Sequence, residues 1–280
     1  MWPVQRRKNR LAESLHHGTV RRSRMQKLRL ASQLVFALLL ARLILGGGDF
    51  EKWCPFGGIE TLYLFFGHDT FTCSLGSSNL FVALAVILLA LVARRAFCGW
   101  VCPLGAIGEL FGRARDRFLP GRRYAPPEKV DRWLRLLKYP LLVLILALTA
   151  MALELVFRGF DPFYALASGH GEDITYWAYV VLGGFLVGAF FMRQPFCRYL
   201  CPLAATLDIP SRFGLLRIHR NGAACVGCKL CERVCDQGIP VAQVESVRHA
   251  RCTQCLECLS VCPKGGSLFL GLPGKVEASQ

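Results

Sequence analysis

Apolar positions fall into four stretches, divided by segments rich in basic residues, glycine and proline. They cover residues 28–47, residues 79–93 with a lead-in from 75–78, residues 141–157 extended back through 133–140, and residues 176–192. An apolar helix needs about twenty residues to cross a bilayer. The pattern therefore predicts an all-α membrane domain with four transmembrane helices. Arg94 and Arg95 stop the second stretch and Arg193 stops the fourth, while Gly183, Gly184 and Gly188 favour close helix packing in the last. Arg42, near the far end of the first stretch, is expected to snorkel to the interface. Residues 59–66 read as a short interfacial helix, with Trp53 and Tyr63 at headgroup level.

Charge gives these stretches a direction. The chain of 280 residues is 53% hydrophobic yet carries a net charge of +15. The positive charge lies in the arm 1–27, in residues 94–138 and after Arg193. Loop 46–78 has one Lys against four acids, and loop 158–175 has one Arg against three. The positive-inside rule places both termini in the cytoplasm. The first apolar stretch follows a long basic arm and ends in no A-x-A-type cleavage site, so no signal peptide is expected. The arm leads into neither a base-reading helix nor an aromatic platform, so no nucleic acid is expected as a partner.

Eight of the fourteen cysteines form two runs. Cys225, Cys228, Cys231 and Cys235 read C-x2-C-x2-C-x3-C, and Cys252, Cys255, Cys258 and Cys262 repeat the spacing, followed by Pro263. In this pattern three close thiolates hold one cubane and the fourth reaches the other cluster. One [4Fe-4S] cluster is expected on Cys225, Cys228, Cys231 and Cys262, and a second on Cys252, Cys255, Cys258 and Cys235. Zinc favours paired C-x2-C arms instead. Asp236 stands where the first run would carry proline, which affects the turn and leaves the ligand in place. The predicted organisation is a basic arm 1–27, a membrane domain 28–211, a cytoplasmic two-cluster α+β domain 212–270 resembling bacterial ferredoxins, and a tail 271–280.

The membrane part carries an internal duplication. Phe97-Cys98-x3-Cys102-Pro103-Leu104 matches Phe196-Cys197-x3-Cys201-Pro202-Leu203, and Cys54-Pro55-Phe56 parallels Asp161-Pro162-Phe163. The four helices are accordingly expected as two parallel repeats. C-x3-C places two thiols one helical turn apart on one face. Cys98, Cys102, Cys197 and Cys201 are therefore candidate ligands of a third [4Fe-4S] cluster, with Arg94, Arg95, Arg193 and Arg198 to offset its charge. Cys54 and Cys73 lie outside these motifs and are either a disulfide pair or two free thiols. Asp208, Asp236 and Glu257 read as surface carboxylates, and His219 and His249 as non-ligating. No G-x-G-x-x-G loop follows a strand, so no dinucleotide chemistry is indicated.

The motifs from Cys98 to Gly105, from Cys197 to Pro202 and from Cys225 to Pro263 resemble those of the membrane-bound polyferredoxins of the NapH and NosR type. The resemblance covers most of the chain. It implies a quinol dehydrogenase or electron conduit in the inner membrane of a prokaryote, serving a protein redox partner. It also implies the quinone pool as the other partner. Longer members carry an added flavin-binding domain for which this sequence has no room. An electron-donating maturation factor and a wiring subunit of a larger complex are the alternatives. Arg29, Gln33, Glu154, His68 and His170 are candidate contacts for a quinone, and His68 and His170 for a further cofactor at the outer face.

Overall fold

A computed structural model describes residues 24–46, 54–68, 77–118, 126–152, 156–168, 176–192 and 194–272. The basic arm, Cys73, Glu154, His170, Arg193 and the tail from residue 273 lie outside the described residues, as does the His68 side chain. The first helix, α1, is Arg24–Leu45, and α2 is Pro55–His68. Ser77–Ala93 (α3) leads into the short α4, Ala96–Trp100, and then α5, Pro103–Phe118. Glu128–Leu136 (α6) and Lys138–Ala152 (α7) follow one another across Leu137. After a 3-10 turn at Val156–Phe160 come α8 (Pro162–Ser168), α9 (Tyr176–Phe191), α10 (Pro195–Tyr199) and α11 (Pro202–Arg212).

The expected four transmembrane helices in two parallel repeats are corrected here. Among the described residues two helices are long and apolar enough to cross a membrane, Arg24–Leu45 and Lys129–Ala152. The other two apolar stretches form helices of 17 and 16 residues. At 1.5 Å per residue these reach about 25 Å, short of a hydrocarbon layer of about 30 Å. Backbone geometry sets the limit. Arg94 (φ 57°) and Gln194 (φ 47°) adopt left-handed conformations that end the helical path. Leu38, Phe81, Val143 and Val187 stand exposed on α1, α3, α7 and α9. Such outward apolar faces associate the protein with a membrane.

Helices from the two motif-bearing segments exchange contacts. α5 packs on α9, and α11 packs on α3 and α7, so each helix that follows a Cys-Pro turn leans on the other segment. One core gathers Phe56, Val86, Ala90, Cys98, Ile145, Leu203 and Leu207. A second gathers Leu104, Phe185, Ala189 and Phe196, with Cys102 and Cys201 against it. Both cores form around the same cysteine motifs.

The second correction concerns residues 212–270. They hold one open antiparallel pair, β1 (Arg217–Arg220) with β2 (Leu268–Gly271), in the register Arg217↔Gly271 to Arg220↔Leu268. Two four-residue helices, α12 (Leu230–Arg233) and α13 (Glu257–Ser260), complete it. Lys229 (φ 56°) and Leu256 (φ 57°) occupy the same place in the two cysteine runs, one residue after the second Cys, and both turn left-handed. That turn lets the chain wrap a small volume, and it leaves each segment too short for a longer helix or a larger sheet. Ile218, Ile239, Val241 and Val247 form the apolar core with Cys252 and Cys258.

Candidate iron–sulfur site

The cysteines gather into three groups. Cys225, Cys228, Cys231 and Cys262 line one depression of about 370 Å³, together with Pro263, Leu230 and Leu268. Cys235, Cys252, Cys255 and Cys258 line another of about 380 Å³, walled by Ile218, Ile239, Val247 and Leu256. The fourth Cys of each run thus faces the three close cysteines of the other. The membrane-side quartet is the third group: the thiol of Cys197 lies within electrostatic range of Cys98, Cys102 and Cys201. Among the described residues no three His, Cys, Asp or Glu side chains close on a single ion-sized point. The two groups of four thiols fit the crossed ligand pattern of paired multi-iron clusters, whereas zinc draws its thiolates to about 2.3 Å from one centre.

Burial dominates the electrostatics of these thiols. Burial pushes Cys98 and Cys201 up to about 12 and Cys102 up to about 11, with neighbouring thiolates adding to the rise. Cys252 is pushed up to about 11 by burial, and Cys255 and Cys258 are raised further. Such thiols ionise only where a compensating cation sits among them, which bound iron provides. Cys225 is the exception: the backbone N–H of Gly227 and then the Arg220 side chain hold it below its ordinary value.

The buried arginines divide their work in a way the sequence does not reveal. Arg95 lowers the thiols of Cys98, Cys197 and Cys201 and pairs with Asp208. Arg94 turns away to the other side. Its guanidinium donates to the carbonyls of Leu216 (3.2 Å), Ser211 (3.3 Å) and His249 (3.1 Å), and it offsets charge at Cys252. Arg198 pairs with Asp131 at 2.6 Å and donates to the Asp236 carbonyl at 3.3 Å. It therefore faces the ferredoxin-like segment, beside Gly238, whose φ of 60° and close approach to the guanidinium leave no room for a side chain.

Arg29 and Gln33, candidates for quinone contact from sequence, are committed elsewhere. Arg29 is buried and donates to the Gly99 carbonyl (2.9 Å) and the Cys255 carbonyl (3.3 Å) while pairing with Glu109. Gln33 donates to the same Gly99 carbonyl at 3.0 Å. Gln26 donates to the Cys255 carbonyl at 2.9 Å. The first helix is thereby fastened to both the Cys98 turn and the Cys255 loop. Trp100 Nε1 donates to the Gln254 carbonyl at 2.9 Å, and a Cβ on Gly99 would lie 2.6 Å from the Thr253 carbonyl oxygen. Close approach of the two loops requires glycine there.

The three acids read from sequence as surface carboxylates are not on the surface. Asp236 is buried, and Glu257 is half-buried and pairs with Arg29. Asp208 accepts from Arg95, Lys138 and the Tyr139 hydroxyl. The cationic partners of Glu257 and Asp208 lie far away in sequence, so spacing gives no sign of them. His219 stacks on Phe269 at 5.5 Å, and the His249 imidazole is held low by burial and by Arg251. Cys73 lies outside the described residues, and with it the pairing to Cys54. So does the proposed outer-face cofactor at His68 and His170.

Comparison with known proteins adds independent support. The family described as 4Fe-4S binding domain matches twice, over residues 75–123 and 174–221. Each match contains one C-x3-C-P motif. The chain is 35% identical to MJ0750 of Methanocaldococcus jannaschii over 66% of this chain and 75% of that protein. It is 30% identical to YccM of Escherichia coli over 80% of this chain and 64% of YccM. It is 31% identical to the ferredoxin-type protein NapH of Haemophilus influenzae over 64% of this chain and 63% of NapH. The chain thus spans less than two thirds of YccM and of this NapH. No solved structure matches it. A duplicated 4Fe-4S motif, three groups of facing cysteines and these relatives together assign the chain to the membrane-bound 4Fe-4S ferredoxin family of the NapH and NosR type.

Proposed function

We propose that this protein is a membrane-bound electron-transfer protein linking the quinone pool to a protein redox partner. Cys225, Cys228, Cys231 and Cys262 hold one [4Fe-4S] cluster, Cys235, Cys252, Cys255 and Cys258 the second, and Cys98, Cys102, Cys197 and Cys201 a third. When bound, these clusters supply one-electron carriers. The observation that carries the reading is the direct seam between the membrane quartet and the ferredoxin-like segment. The Arg95 backbone N–H donates to the Cys252 carbonyl at 3.3 Å, and Arg29 bridges the Gly99 and Cys255 carbonyls. These bonds fasten the Cys98 turn to the loop that carries Cys252 and Cys255.

Both termini lie on the cytoplasmic side of a prokaryotic inner membrane in this reading, because the acidic loops and the basic segments alternate. The test is reduction by quinol. Purified protein with its clusters intact, in lipid nanodiscs under anaerobic conditions, is mixed with a reduced short-chain quinol. Bleaching of the cluster absorbance is expected. An unchanged spectrum, with clusters still reducible by dithionite, would remove the link to the quinone pool.

A further inference from the structure

Asp208 is the meeting point of charges that the cysteine cages do not account for. Its carboxylate accepts from Arg95 on the helix at the quartet, from Lys138 at the start of the apolar span, and from the Tyr139 hydroxyl at 2.9 Å. Arg95 and Lys138 are buried, whereas Tyr139 is 41% exposed. Arg212, one turn beyond Asp208 on α11, lies within electrostatic range of the phenol. Three cations therefore surround one carboxylate and one phenol among the described residues. The group has two ends. Asp208 lies within electrostatic range of Cys98 and Lys138 within range of Cys201, so one end borders the quartet. The other end carries the exposed Tyr139 at the start of α7, and α11 presents Ile209 (73% exposed), next to Asp208 in the chain, and Phe213 (66% exposed).

We infer that Tyr139, Lys138 and Asp208 form a headgroup site for a membrane quinone at the lipid boundary of the cysteine quartet. This inference rests on the proposed link to the quinone pool and gives it a place. The chemistry matches in both redox forms. A quinone carbonyl takes a hydrogen bond from the Lys138 ammonium, which has three N–H groups, and a quinol hydroxyl donates to the phenolic oxygen of Tyr139 while the phenol's own proton stays on Asp208. The excess positive charge favours a headgroup that is losing its protons. Exposed Ile209 and Phe213 offer an apolar approach for the isoprenoid tail from the lipid side. The same charge excess also suits the phosphate of an anionic lipid, and the experiment separates the two.

The test uses the full chain with its clusters, in nanodiscs of phosphatidylcholine alone. Binding of a short-chain quinone analogue is followed by quenching of intrinsic fluorescence. Tyr139→Phe removes one hydroxyl at an exposed position and is expected to weaken binding about tenfold, with cluster spectra and iron content unchanged. Asp208→Asn should weaken it as well, and Tyr139→Phe decides the matter if the Asn variant is unstable. Wild-type affinity in Tyr139→Phe, with quinol still bleaching the clusters, overturns this site while leaving the link to quinone intact. Failure of the wild-type protein both to bind the analogue and to be reduced by quinol overturns that link itself. Loss of quinone binding in wild type on adding phosphatidylglycerol, without any effect of Tyr139→Phe, would assign the charges to lipid and also overturn the site.

Discussion

The backbone N–H of Arg95 donates to the carbonyl of Cys252 at 3.3 Å, across 157 positions of sequence. Arg95 caps the start of the helix that carries Cys98, and Cys252 opens the second cysteine run. One hydrogen bond thus joins a membrane-side cage to a cage of the ferredoxin-like segment. Arg94, next to it, sends its side chain to two further carbonyls of that segment, Leu216 and His249, and to that of Ser211 on α11. The seam is built mainly from main-chain carbonyls and buried guanidinium groups. That suits a surface held at fixed separation better than one that slides.

Arg29→Met should loosen this seam from the other side. The substitution leaves Glu109 without its buried partner and removes one of the two side-chain donors to each of the Gly99 and Cys255 carbonyls. Removing one member of a buried ion pair costs about 3–5 kcal/mol. The expected outcome is a lower denaturation midpoint and earlier loss of cluster absorbance on titration with denaturant. Arg29→Lys should recover only part of the loss, because one ammonium cannot reach the same set of acceptors.

Gly99→Ala tests the contact itself. Its Cβ would stand 2.6 Å from the Thr253 carbonyl oxygen, so the loops must part by several tenths of an ångström. Overpacking of this kind costs about 1–3 kcal/mol. Iron content should be retained while the rate of electron exchange between quartet and ferredoxin-like segment falls, as read by stopped-flow spectroscopy. An unchanged rate would mean that this contact does not set the separation.

Replacement of Cys201 by Ser should remove one of three clusters. Iron per chain is then expected to fall from about twelve to about eight, with the signals of the two clusters of the ferredoxin-like segment kept. Replacement of Cys258 should instead perturb that segment, because its thiol lines the depression shared with Cys235, Cys252 and Cys255.

Glu60 and Asp161 predict a pH dependence. Both are buried, and burial pushes each up to about 7; the Thr149 hydroxyl bonds to Glu60 at 2.9 Å, and the Phe163 N–H to Asp161 at 2.9 Å. A carboxyl raised on folding holds its proton more tightly in the native state. Its contribution is full below the unfolded value near 4 and is lost as pH rises to about 7. Stability should therefore decline across that window. Glu60→Gln keeps the bond from Thr149 and should flatten the slope by on the order of 3 kcal/mol, read as denaturation midpoint against pH. A slope unchanged in the variant would place the titration elsewhere.

The grouping of the eight cysteines around two depressions was legible in the sequence because cysteine spacing is a local constraint. Three thiols within seven residues face one small volume, and a fourth, four residues on, faces the other. The duplicated C-x3-C-P motif was legible for the same reason, and it recurs in the double family match. Tertiary structure decided where the helices stop. Hydropathy counts apolar residues, but it does not register that Arg94 turns left-handed and carries its side chain to Leu216, Ser211 and His249. Nor does it register that Gln194 turns likewise and accepts from the Gln237 amide at 3.1 Å. Both apolar helices end where their terminating residues reach the ferredoxin-like segment. Tertiary structure also decided the fate of Arg29, Asp208 and Glu257. A charge becomes buried only when a partner compensates it, and their partners lie between 70 and 228 residues away.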